Sequence, residues 1–176
     1  MRLQRIIAAL LCICAALAAT GATHAQGIFL ETTPSILGEA TAPGYENQIQ
    51  LLSGQFGMGT LCGSTSSLSV SEFTASKQAD RSTVDLIAAA AAGTVYTQFV
   101  VRFAVNDPMA GVINKQTYTF KDPVITSFST SGADGNTAES FSFLFSEVTI
   151  EYLYVDSKGG QTPESTTILV GPCPAP

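Results

Sequence analysis

Phe99, Val101, Phe103 and Val105 occupy every second position of one stretch, with Arg102 among the intervening residues. A period of two places those four side chains on one face of a β-strand and Arg102 on the other. Short runs of this kind, punctuated by Gly, Ser, Asn and Pro, recur along the chain and predict an antiparallel β fold with one buried face. Strands are expected at 27–32, 47–56, 67–77, 95–105, 116–128 and 138–155. In the last of these, Phe141, Phe143 and Phe145 lie on odd positions, whereas Val148, Ile150, Tyr152 and Tyr154 lie on even ones. That change of phase predicts a β-bulge near Ser146 and Glu147, and a similar change between Leu68, Val70 and Phe73 predicts a second. Bulges bend sheets, so a small antiparallel β-barrel is the expected architecture. One helix interrupts the strands: Ser82 is its expected N-cap, Asp85 sits three residues on, and Gly93 stops it. Its run Ala88–Ala92 permits close packing, with the domain's own core as the expected surface.

The first 25 residues read as a secretory leader. Arg2 and Arg5 precede an apolar run of 14 residues, Ile6 to Ala19, and small and polar residues follow down to Ala25, where cleavage is expected. A bilayer-spanning helix needs roughly 20 apolar residues, so this run fits a removable signal better than an anchor. Removal leaves one domain, 26–155, followed by a Gly-, Ser-, Thr- and Pro-rich tail, 156–176, expected to be flexible. The remainder keeps six of the eight basic residues against all 14 acidic ones, a net charge of −8. Such a balance argues against nucleic acid or an anionic membrane as partner. Cys62 and Cys173 form an even pair in an oxidising compartment, and an intramolecular disulfide between them is expected, with two free thiols or a bridge between subunits as the alternatives.

Catalytic chemistry is scarce. The single histidine, His24, lies in the leader, which leaves the exported part without an imidazole for a triad, a proton shuttle or a metal site. No Gly-x-Ser-x-Gly elbow, phosphate-binding loop or dinucleotide fingerprint occurs, and no cofactor is expected. Glu139, Glu147 and Glu151 lie near one another in sequence, the only arrangement that suggests carboxylate chemistry, and their expected place is a solvated strand face. Asp134, Gly135 and Asn136 read as a turn. The protein is expected not to be an enzyme.

Three segments, in order and spacing, resemble the haemolysin-coregulated protein (Hcp) family of type VI secretion. The first comprises Ile28, Phe29, Leu30, Gly38, Glu39, Glu46, Ile49, Leu51, Leu52, Ser53, Phe56, Gly57 and Met58. The second runs from Val70 through Lys77, Asp80 and Ser82 into the helix and Gly93. The third comprises Tyr118, Val124, Ser127, Ser129, Thr130, Ser131, Gly132, Glu139, Ser140, Phe143, Phe145, Val148, Ile150, Glu151 and Tyr152. The resemblance implies a small β-barrel with one helix, self-association as a hexameric ring, rings stacking into a tube that carries secreted effectors, and an origin in a Gram-negative bacterium. It also implies that the loop Gly57, Met58, Gly59, Thr60, Leu61, Cys62 and Gly63 reaches a neighbouring ring. The leader implies a second reading: an exported Hcp-like interaction or scaffold module acting in the periplasm or outside the cell.

Overall fold

A computed structural model describes residues 26–62, 67–133 and 136–170. The alternating runs form strands β1 (Gly27–Thr33), β2 (Ile49–Leu51), β3 (Ser53–Gln55), β4 (Met58–Cys62), β5 (Ser67–Val70) and β6 (Phe73–Gln78). Helix α1 (Thr83–Ala92) follows, and then β7 (Gln98–Asp107), β8 (Gly111–Lys121), β9 (Val124–Ala133), β10 (Asn136–Leu144), β11 (Glu147–Val155) and β12 (Gln161–Leu169). They assemble as a six-stranded sheet, β12-β11-β8-β7-β1-β2, a four-stranded sheet, β3-β6-β10-β9, and the separate ribbon β4-β5; every pairing among the described residues is antiparallel.

The two larger sheets face each other across one core. Leu30, Ile49, Phe99, Val101, Phe120 and Val148 come from the first, and Phe73, Ala75, Ile125, Phe141 and Phe143 from the second. Phe143 is central: its ring centroid lies 5.0 Å from those of Phe99 and Phe120, both edge-on, and 5.1 Å from Phe73. Edge-to-face contacts at such distances strengthen packing beyond the area they bury. The six-stranded sheet also carries a smaller cluster on its other face, Phe29, Ala40, Tyr45 and Ala104. Tyr45 stacks on Phe29 at 4.2 Å and donates its hydroxyl to Asn114 Oδ1 at 2.5 Å. The loop bearing Tyr45 is held by Gly38 N–H donating to Asn47 O (2.8 Å) and Ala40 N–H donating to Gln48 O (3.1 Å). Here the backbones approach so closely that a Cβ on Gly38 would stand 2.5 Å from Ile49 Cα.

Several expectations require correction. A closed barrel is not found among the described residues: at Leu52 the chain turns from one sheet into the other, spanned by Leu52 N–H to Ser76 O, whereas β12 and β9, the far ends of the two sheets, do not pair with each other. The expected strand 116–128 is broken at Asp122, which has a positive φ of 50°, and the chain re-enters at Val124 in the other sheet. The phase change near Ser146 is likewise a sheet change between β10 and β11, while the register shift lies at Ser142/Phe143. The change at Leu68, Val70 and Phe73 is the break between β5 and β6.

The segment 156–176 is not a flexible tail throughout, because Gln161–Leu169 forms nine register pairs with β11. Threonines suit a strand with one exposed face, and the turn Asp156–Gly160 closes the hairpin by Asp156 Oδ1 accepting from Lys158 N–H and Gly160 N–H. Helix α1 stops as expected, at Gly93 with φ 59°, but the Ser82 side chain does not cap it. It donates instead to Asp80 Oδ1 at 2.5 Å.

Candidate assembly surfaces

The family-derived loop Gly57–Gly63 falls on the β4-β5 ribbon. Its base is clamped by Gly57 N–H donating to Ser71 Oγ and Ser71 N–H donating to Gly57 O, each at 2.9 Å. Beyond that clamp β4 and β5 pair only with each other. With β5 at Ser67–Val70, the ribbon thus extends past the expected loop Gly57–Gly63, and Met58 at its root is half exposed. A two-stranded hairpin alone is marginal in water, so a ribbon of this kind gains from a partner surface. Met58, Gly59, Thr60, Leu61 and Cys62 belong to β4. Gly63, Cys173 and the expected cleavage position Ala25 lie outside the described residues.

The structure separates the three carboxylates. Glu147 and Glu151 lie on β11 in the six-stranded sheet, whereas Glu139 lies on β10 in the four-stranded one. Glu139 is directly opposite Lys77 in register, and both are buried. Lys77 Nζ stands 2.6 Å from Glu139 Oε2 and 2.8 Å from Asp80 Oδ1, and Thr83 Oγ1 donates to Glu139 at 2.9 Å. A buried ion pair survives when further hydrogen bonds satisfy it, and here those bonds fasten the start of α1 to the sheet. Burial raises the pKa of Tyr45, partly offset by Arg102, and burial together with Asp85 raises that of Tyr96. No convergent catalytic set is formed by these residues.

The outward face of the four-stranded sheet was not anticipated as a surface. Its cross-strand rows read Gln55–Thr74–Ser142–Ser127, then Ser53–Ser76–Ser140–Ser129, then Gln78–Ala138–Ser131. Hydroxyls meet at 2.5 Å for Ser53 and Ser76, 2.8 Å for Ser129 and Ser140, and 2.7 Å for Ser127 and Ser142. These rows contain no charged residue. The period-two serines 127, 129, 131 and 140, 142 are the signal that could have exposed it. The sheet ends on one side at β3 and on the other at β9, whose ten residues include neither proline nor charge. One end of the six-stranded sheet differs, since β12 carries Pro163 and Glu164, residues that discourage pairing at an edge, while its other end is the short strand β2.

Helix α1 runs beside β9. Leu86 and Ala89 face the core, while Val84 and Ile87 are exposed, at 72% and 45%, and Ala88 and Ala91 share that outward side. The alanine run therefore does not pack wholly on the domain's own core.

Comparison with known proteins places this geometry in a family. The family model described as "Type VI secretion system effector, Hcp" matches residues 27–152. Hcp1 from Salmonella typhimurium is similar over 81% of this chain and 93% of its own, with 25% identity and a TM-score of 0.69. A type VI secretion system effector from Yersinia pestis shares the fold at 22% identity, over 81% of this chain and 99% of its own, with a TM-score of 0.66. Secreted protein Hcp3 from Pseudomonas aeruginosa does so at 14% identity, over 80% and 97%, with a TM-score of 0.60. No curated protein sequence matches the chain. Two facing antiparallel sheets with one helix among the described residues, matched by the family model from the first strand into β11, make this chain a member of the Hcp family of type VI secretion.

Proposed function

We propose that the chain is a structural, non-enzymatic component that closes into a ring, six-membered by analogy with the family, and that such rings stack into a tube carrying effectors. The observation that carries this reading is the asymmetry of the sheet edges. Unguarded strand edges invite pairing, and a head-to-tail contact that closes on itself leaves none free. In the four-stranded sheet no further strand pairs with β3, and β9 is met only by α1 and the Val95 bridge among the described residues, whereas β12 carries Pro163 and Glu164. The β4-β5 ribbon is the segment that reaches the next ring, and Cys62 with Cys173 form a disulfide that ties the C-terminal segment to it.

The leader supports a second reading. Arg2, Arg5 and the apolar run up to Ala19 direct export with cleavage after Ala25, so the domain acts in the periplasm or outside the cell as a binding or scaffold module. Among the described residues no helix is long and apolar enough to cross a membrane.

Light scattering of the chain from Gln26 onward separates the two. A net charge of −8 makes copies repel, and salt screens that repulsion over roughly 8 to 10 Å, so a ring should strengthen as salt rises. A sixfold mass at moderate salt is expected. A strictly monomeric mass at low and moderate salt, at high micromolar concentration, overturns the ring and leaves the exported module.

A further inference from the structure

We infer that the uncharged segment 171–176 lies across the outward face of the four-stranded sheet of its own copy, seated on the row Leu144–Val124–Val95. The serine rows do not run to the end of that face. Phe143 and Phe145 turn into the core, so Leu144 between them turns outward, and it is 47% exposed. Val124 stands opposite Leu144 in register and opposite Val95 at the bridge, while the neighbours Ile125 and Tyr96 are buried. Cross-strand partners share a face, so three large aliphatic side chains close a face otherwise lined mainly by hydroxyls. At the usual strand spacing the ends of the row lie about 10 Å apart.

The occupant follows from where the chain leads and what it is made of. Val170 N–H donates to Ser146 O at 2.9 Å, two residues past Leu144, so the residues after Val170 start at the rim of the row. No strand position is free for them there: β10 already pairs with β6 and β9, and β11 with β8 and β12. Pro172, Pro174 and Pro176 also lack the N–H that a ladder needs. Each restricts the residue before it to extended backbone, so ordering the segment costs little conformational entropy. Six residues at about 3.1 Å each cross the row with length to spare. Carboxylates flank the row, Glu72 accepting from Ser142 Oγ and Asp122 from Ser146 Oγ, and the segment brings no charged side chain against them. Its proline rings and small side chains take Leu144 and Val95 out of water. The inference holds whether or not copies assemble.

The test compares the chain from Gln26 onward with the same chain ending at Val170, both reduced, by methyl-resolved NMR. Removing 171–176 should move the methyl resonances of Leu144, Val124 and Val95 and leave those of Leu86 in the core and Val112 on β8 unchanged. The alanine resonance lost with the segment is that of Ala175, and Leu144→Ser in the longer chain should bring it to its random-coil position. An unmoved Leu86 shows that the fold is kept. Should the shortened chain unfold, Pro172→Ser with Pro174→Ser replaces it and should move the same three residues. Leu144, Val124 and Val95 resonances indifferent to these changes overturn the seat. Shifts that fade on dilution put the segment on a second copy and overturn the contact within one copy. Shifts that appear only without reductant assign the contact to the Cys62–Cys173 bond and overturn the seat as well.

Discussion

Removing the lysine of the buried pair should cost more than neutralising its glutamate, and the structure says why. In Lys77→Met the Glu139 carboxylate, 1% exposed, loses its cationic partner and, among the described residues, retains the Thr83 hydroxyl. An uncompensated buried charge of this kind costs about 3 to 5 kcal/mol. In Glu139→Gln the ammonium keeps Asp80 Oδ1 at 2.8 Å, the Gln78 carbonyl at 2.9 Å and Thr83 Oγ1 at 3.3 Å, so about 1 to 3 kcal/mol is expected. Replacing both, as Lys77→Met with Glu139→Leu, removes the stranded charge and should be milder than Lys77→Met alone. Small domains have about 5 to 15 kcal/mol of stability, so each variant remains measurable. Urea unfolding of the chain from Gln26 onward at pH 7, followed by circular dichroism because no tryptophan is present, reads all three. Equal losses for Lys77→Met and Glu139→Gln, or a double variant worse than Lys77→Met, would refute the reasoning.

Gly38→Ala should destabilise by about 1 to 3 kcal/mol, since its Cβ would press on the Ile49 and Gln48 backbone, which cannot swing aside; an unchanged melting temperature would contradict this close approach. Tyr45 and Tyr96 hold their protons more tightly folded than unfolded, so stability should be present below pH 10 and fall as pH rises through their raised values. Tyrosinate absorbance and melting temperature across pH 9 to about 12 measure this, and a melting temperature unchanged across that range would contradict it. Intact mass before and after reduction tests the Cys62–Cys173 bond; closing a loop of about 110 residues would stabilise by up to roughly 4 to 5 kcal/mol, and two free thiols in exported material would exclude it.

The period-two pattern was sufficient to establish a mainly β chain, because side-chain alternation is a property of the extended backbone itself. The helix stop at Gly93 was legible for the same local reason: a left-handed residue after an alanine run favours glycine. Pattern alone could not distinguish a bulge from a strand that leaves one sheet for another, since both shift the phase by one residue; Phe145 and Ser146 became a corner only because β11 pairs with β8 and β10 with β6. Nor could it show that Lys77 and Glu139, 62 residues apart, face each other, or that serines from four strands fall into shared rows. Gln161–Leu169 read as a loose tail because a polar edge strand has little burial of its own to advertise, and its order comes from the β11 backbone beside it. Local sequence determined which residues extend, turn or coil; long-range pairing alone decided which edges end open and which apolar helix face was left without a partner.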